Sequence, residues 1–288
     1  MKISVIIPTL NAGKYLFELL DKIYSQTLKP DEIIIIDSSS NDNTIEIASS
    51  FSDTKIIQIN KSDFDHGKTR DIALRRSEGD IVIFLTQDAI PANNELIANL
   101  VKPLSDTSIA VSTGRQLPKE NASNIEKLVR EFNYPNHSFV KSQKDIQILG
   151  IKAFFVSDAC AAYNRKIYIE LGGFDYPLKT NEDMFYAAKA IQNGYKVAYT
   201  AEAVVYHSHN FSILEQYRRN YIQGYEIERH KSLLSEVKAE NEGVKLVMYV
   251  SKNLLKNGHI FEFIYWCVEC CARMLGNKIG KISAVFTR

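Results

Sequence analysis

The chain has 288 residues, 45% hydrophobic and 24% charged, with 35 basic and 34 acidic side chains and a net charge of +1. That length suits one large or two smaller domains with a sizeable core, and the composition is that of a soluble globular protein. So balanced a charge excludes a global field that would draw nucleic acid or acidic partners.

No run of about 18 uncharged apolar residues is present, so no transmembrane span is expected. The N-terminal MKISVIIPTLNAGKY has no long apolar stretch and no small-residue cleavage site, so no signal peptide and a cytoplasmic location are expected. Of the four cysteines, Cys267, Cys270 and Cys271 share one apolar segment and Cys160 stands alone. No second pair completes zinc-site spacing, so reduced thiols are expected. The sequons at Asn121 and Asn210 read as chance matches.

In chain order, ISVIIP, EIIIID, KIIQIN and DIVIFL are short, continuous, β-branched runs. Strands covered on both faces look like this. Between the first two, Tyr15, Leu16, Leu19, Leu20 and Ile23 fall at helical spacing. NDNTIEIASSF and GKTRDIALRRSEG fill the next two intervals. The first 90 or so residues therefore predict a βαβαβαβ array with right-handed crossovers. From about residue 211 the pattern turns helical, which predicts a boundary between residues 1–210 and 211–288.

Ligands of open parallel sheets bind beyond the carboxyl ends of the strands. Pro8, Thr9 and Asn11 follow the first strand, and Asp37, three serines and NDNT follow the second. Asp63, Asp65, His66, Gly67 and Arg70 follow the third, and TQDA, containing Gln87 and Asp88, follows the fourth. Any one of these reads equally well as a cap or turn residue; four polar strand ends together point to a ligand. GxGxxG does not follow the first strand and GxxxxGK[ST] is absent, which argues against an ordinary dinucleotide binder or a P-loop NTPase.

VIIPTLNAGKYL, IIIIDSSSNDNT and GKTRDIALRRSEGDIVIFLTQDA together resemble the family-two inverting glycosyltransferases. Many members read PTxN, VDDGSxDxT and ARNxGxxxAxGDYIxFLDxDD there. SDACAAYNRKIYIELGGFDY, TNEDMFYAAKAIQNGYKVAYTAEAVVYHSHN and GNKIGK are similar to the bacterial rhamnosyltransferase branch, where TQDA and an HxH element recur. The resemblance covers roughly residues 3–210. It implies the GT-A nucleotide-diphospho-sugar transferase fold, a Rossmann-like, mostly parallel α/β sheet flanked by helices, here with a C-terminal helical extension. It implies sugar transfer, with dTDP-rhamnose the expected donor and a saccharide or lipid-linked acceptor of bacterial surface polysaccharide. A UDP-hexose transferase of the same fold, or a non-catalytic nucleotide-sugar-binding protein, is the alternative.

The chemistry agrees with that implication. The leaving diphosphate needs its charge neutralised, which Mg²⁺ or Mn²⁺ does with oxygen ligands. Asp88 is the carboxylate at the fourth strand end. Aligned on FLDxDD, Thr86 and Ala89 stand where the family carries the first and last aspartates, so one carboxylate remains. By the resemblance, His207 or His209 adds a ligand. Asp37 is expected to accept the N3–H of a pyrimidine, with Pro8, Thr9 and Asn11 shaping that edge. Arg70 is expected to brace the donor phosphate, because a guanidinium forks onto such oxygens. Asp65, His66, Gly67, Gln87 and Asp158 are expected at the donor, with Asp158 reading equally well as a buried turn. Inverting transfer needs a general base on the acceptor hydroxyl. Asp183 is expected to be that base, with Glu182 orienting it, in a first helical turn after Asn181 where carboxylates also suit the helix dipole.

The C-terminal NGHIFEFIYWCVECCARMLGNKIGKISAVFTR mixes aromatic, aliphatic and basic residues, with Glu262 and Glu269 interrupting the apolar run. Two readings stand open here: a peripheral helix in the membrane interface, or a helix packed on the catalytic domain or a second copy.

Overall fold

The computed structural model describes residues 1–234 and 240–287. The chain opens with strand β1 (Ile3–Thr9), helix α1 (Leu16–Tyr24), β2 (Glu32–Asp37), α2 (Thr44–Ser49), β3 (Thr54–Gln58), α3 (His66–Arg76) and β4 (Ile81–Leu85). β5 (Ile90–Pro91), α4 (Leu96–Val101), β6 (Ile109–Leu117), α5 (Asn124–Asn133), β7 (Phe139–Lys141) and α6 (Ile146–Leu149) follow. Then come β8 (Cys160–Asn164), α7 (Arg165–Glu170), α8 (Glu182–Gln192) and β9 (Lys196–Tyr206). The chain ends in α9 (Ile213–Arg229), α10 (Glu240–Lys256) and α11 (Ile260–Phe286).

One sheet runs in the order β3-β2-β1-β4-β8-β6-β9-β5, with β7 on β9. β1 pairs in parallel with β2 and β4, and β2 with β3, as the β-branched runs predict. β8 lies antiparallel between β4 and β6. Side chains alternate across the sheet. Val5 and Ile7 join Leu16, Leu20, Ala48 and Ile97 on one face. Ile6, Ile34 and Phe84 join Leu74, Ile167 and Phe185 on the other. Two buried faces explain the unbroken apolar strands.

β6 and β9 run parallel, with a register shift between Gly114 and Arg115. A Cβ on Gly114 would lie 2.7 Å from the Ala203 carbonyl and from Cys160 Sγ, so only glycine fits that shift. Beyond it the pairing continues to Leu117–Tyr206, and His207 N–H donates to the Leu117 carbonyl at 2.9 Å. The ends of β4, β6 and β9 thus meet at one edge.

The C-terminal helices pack together and onto α5. Ile125 and Val129 of α5 meet Val250, Leu254 and Trp266 in a third apolar cluster. α9 and α11 approach backbone to backbone. A Cβ on Gly280 would stand 2.0 Å from the Tyr221 carbonyl, and one on Gly276 would stand 2.3 Å from that of Tyr217. Cys160 is a free thiol, as are Cys267, Cys270 and Cys271. Among the described residues no helix is long and apolar enough to cross a membrane.

Candidate active site

The loops after β1 and β2 are joined by side chains. Asn11, at φ 52°, donates its N–H to Ser40 Oγ (2.8 Å), and its Oδ1 accepts from Asn41 N (3.0 Å). Ala12 N–H reaches Thr44 Oγ1, and Gly13 N–H reaches Asp42. Asp37, wholly buried, accepts from Thr9 Oγ1 (2.9 Å), Ser40 N–H (2.9 Å) and Ser40 Oγ (2.5 Å). Its carboxylate organises both loops. Pro8 is half-buried at the end of β1. Gln87 pins the next residue pair from both sides: its Oε1 accepts from Leu10 N–H (2.8 Å), and its Nε2 donates to the Leu10 carbonyl (3.2 Å). Gln87 therefore locks the β1 loop to the end of β4.

Helix α3 has a different place from the one expected. Asp65 caps it through Lys68 N–H (2.9 Å) and also accepts from Leu178 N–H (2.8 Å). A Cβ on Gly67 would meet the Asp175 carbonyl at 3.1 Å, so this glycine lets the 174–182 segment dock. Arg70 is 5% exposed and lies 3.0 Å from Glu182 and 3.4 Å from Asp158. A buried guanidinium held by two carboxylates is not free to fork onto a phosphate, which corrects the expected role of Arg70. Asp65 and Gly67 likewise bind chain rather than donor. His66 is half-buried against Phe64, and burial lowers its pKa despite the Glu182 charge.

Three carboxylates surround that one arginine. Asp158 is 2% exposed, and Tyr163 OH donates to its Oδ1 at 2.5 Å. Burial, reinforced by the Glu182 charge, pushes Asp158 up to about 7 against the pull of Arg70. The expected donor contact is corrected to a support beneath the site. Asp183, only partly covered, accepts from Asp158 N–H at 3.1 Å and Met184 N–H at 2.7 Å. Burial, with the charges of Glu182 and Asp158, holds its carboxyl well above the usual aspartate range. Asn181 enters α8 in the left-handed region (φ 66°) and makes no side-chain cap, so it turns the chain instead of capping it. Glu182 is buried on Arg70, and Asp183 is the carboxylate of the pair that stays accessible.

Asp88, His207 and His209 offer ligand atoms that all lie within 4.8 Å of one another. Asp88 Oδ1 is 3.4 Å from His207 Nε2, and Oδ2 is 3.5 Å from His209 Nε2. His207 Nδ1 lies 2.8 Å from Gln116 Oε1, which also accepts from Arg130, while Gln116 Nε2 donates to Ser157. That oxygen can only accept, so Nδ1 carries the proton and Nε2 presents a lone pair. This lone pair faces a carboxylate and, at 3.1 Å, the Nε2 of His209. One carboxylate and two imidazole nitrogens converge here, and that donor set fits a divalent metal. Burial, then His207, lowers His209 to about 4, which keeps its ring neutral and able to ligate. Burial raises the Asp88 pKa, but the groups around it, Lys119 among them, outweigh that and hold it ionised.

Sequence reasoning missed Lys119, whose Nζ lies 3.3 Å from Asp88 Oδ2 and 4.8 Å above the Tyr15 ring. It also missed Gln116 and Arg130. Gln116 left no local signal, since β6 reads IAVSTGRQL and carries Ser112, Thr113 and Arg115 beside it.

The Glycosyl transferase family 2 profile matches residues 4–172. The O-antigen chain rhamnosyltransferase RfbN of Salmonella typhimurium is 44% identical over 98% of this chain and 90% of its own length. The O-antigen chain rhamnosyltransferase WbaN of Salmonella anatum is 40% identical over 96% and 89%. Among solved structures, the mannosyltransferase PcManGT of Pyrobaculum calidifontis, in complex with GDP-Man and Mn²⁺, superposes with a TM-score of 0.66. It is 17% identical, over 100% of this chain and 88% of that one, a likeness of fold that identifies the GT-A architecture.

Proposed function

The chain belongs to glycosyl transferase family 2, and from that membership we propose that it is an inverting, metal-dependent rhamnosyltransferase. It moves L-rhamnose from dTDP-rhamnose onto a saccharide or lipid-linked acceptor of a bacterial surface polysaccharide. Likeness to two O-antigen chain rhamnosyltransferases along almost the whole chain supports the sugar and the pathway class. The single observation that carries the reading is the Asp88–His207–His209 cluster at the strand ends, with the raised Asp183 carboxyl on the other half of the site.

Residues 1–210 act as the transferase domain, and 211–288 as a helical extension. Asp88, His207 and His209 hold the metal, and two imidazoles tilt the set from Mg²⁺ toward Mn²⁺. When bound, the ion neutralises the departing diphosphate. Lys119 adds a second positive charge beside Asp88. The joined β1 and β2 loops give the nucleotide a rigid wall. Asp183 takes the proton of the acceptor hydroxyl as that oxygen attacks the anomeric carbon from the face opposite the diphosphate. Arg70 holds Glu182 and Asp158 beneath the site, and burial, with the charge of Glu182 beside it, raises the basicity of Asp183. Donor cleavage tests this directly. The wild type should release dTDP from dTDP-rhamnose with Mn²⁺ faster than it releases UDP from UDP-galactose or UDP-glucosamine. Equal or faster cleavage of a UDP donor would move the reading to a UDP-hexose transferase.

The extension rests on the membrane surface. On α11, Phe261, Ile264, Val268, Leu275, Ile279, Ile282 and Phe286 recur three, four or seven apart and are exposed, Phe261 by 89% and Phe286 by 83%. Exposed Lys252, Lys256 and Lys278 stand on α10 and α11, complementary to anionic lipid. The full chain should float with phosphatidylglycerol vesicles, and an Ile264→Asp, Ile282→Asp variant should not. Sedimentation as a dimer with no flotation would assign the face to a second copy instead.

A further inference from the structure

A cavity of about 530 Å³ lies beyond the metal cluster, between α5, the residues after β9, the first turn of α9, and α11. That volume is typical of small-ligand sites. His209 lines it, so the cavity and the cluster share a wall. Every lining residue comes from Ala122 onward, and none from the loops after β1 and β2 that give the nucleotide its wall in that reading. A second ligand can therefore enter here without crossing the donor.

The lining chemistry selects that ligand. Tyr265 supplies an aromatic face, that of Phe211 being covered by the Arg219 guanidinium 4.3 Å from its centroid, while Asn124, Glu262 and Arg273 supply polar groups. Glu126 is paired with Arg130 and Glu269 with Arg273, and Glu215 and Glu262 leave the walls acidic, which disfavours a phosphate or a second nucleotide. Arg273 is already held by Glu269. Glu262 accepts from Asn124 Nδ2 at 2.9 Å through Oε1, while its Oε2 has no donor. An aromatic ring for a C–H face, and carboxylate and amide groups for hydroxyls, describe a neutral polyhydroxylated ligand.

We infer that this cavity is the acceptor subsite, taking a terminal sugar ring of the acceptor against Tyr265 with Glu262 accepting from a hydroxyl. The inference rests on the glycosyl-transfer reading, because it names where that reaction's acceptor binds.

Saturation-transfer-difference NMR tests it with p-nitrophenyl glycosides of galactose, glucose, mannose and rhamnose. At least one glycoside should bind the wild type. Tyr265→Ala and Glu262→Gln should each weaken it about tenfold or more, with circular dichroism unchanged. If Tyr265→Ala does not fold, Glu262→Gln alone carries the comparison. Absence of binding by all four glycosides, or affinities within about twofold of wild type in the folded variants, overturns the inference. Donor cleavage is measured separately, so its failure would strike the glycosyl-transfer reading without altering this binding result.

Discussion

His207 and His209 bring their Nε2 atoms to 3.1 Å of each other at one side of the Asp88 carboxylate. The hydrogen bond of His207 Nδ1 to Gln116 leaves the facing nitrogen without a proton. Asp88→Asn and His207→Ala should therefore abolish Mn²⁺ binding measured by electron paramagnetic resonance. Gln116→Ala, which frees the ring orientation, should weaken it about 10–100-fold. Unchanged Mn²⁺ affinity in Asp88→Asn would remove this cluster as the metal site.

Lys119 competes with the metal for Asp88, since its ammonium lies 3.3 Å from the carboxylate. Lys119→Met should tighten Mn²⁺ binding to the nucleotide-free protein in calorimetry, because a like charge has gone. Weaker binding in that variant would mean that Lys119 holds Asp88 in its ligating position.

The carboxylates around Arg70 make stability depend on pH, with a definite sign. Asp158 ionises near 7 in the fold, against an ordinary value of 3.8. Between those values the native state keeps a proton that the unfolded chain has lost, so stability falls as pH rises through this window. The loss is complete above the folded value. Asp158→Asn should flatten that slope in urea titrations between about pH 4 and 7. An unchanged slope would show that Asp158 is ionised throughout.

α9 and α11 are held by glycines that no side chain can replace in place. A Cβ at Gly280 would lie 2.0 Å from the Tyr221 carbonyl, so Gly280→Val must push the helices apart. The expected cost is about 1–3 kcal/mol or more, read from urea unfolding of the whole chain. A cost near zero would mean that α11 can slide along α9.

The first four strands were legible because residues such as Ile33, Ile34, Ile35 and Ile36 are buried on both faces and need no polar alternation. β8, with the run CAAYN, carries no such signal, and its antiparallel place between β4 and β6 is set by partners far along the chain. In the site, Asp183, Asp88 and the two histidines stood in local motifs. Arg70 did not read correctly, because nothing local marks it as buried until Glu182, 112 residues away, reaches it. The partners that Asp65 and Gly67 meet in the 174–182 segment were equally hidden from the local sequence. Lys119 had no motif at all, since only the pairing of β6 with β9 carries it to Asp88.

The central claim is that Asp183 serves as the base of an inverting transfer, and ¹H NMR of the reaction with dTDP-rhamnose, Mn²⁺ and acceptor tests it most directly. The account predicts a product whose anomeric configuration is opposite to the donor's. It also predicts an Asp183→Asn enzyme that binds dTDP-rhamnose as wild type does but loses about 10²–10⁴ in kcat. A retained configuration, or an Asp183→Asn enzyme within about threefold of wild type, would contradict it.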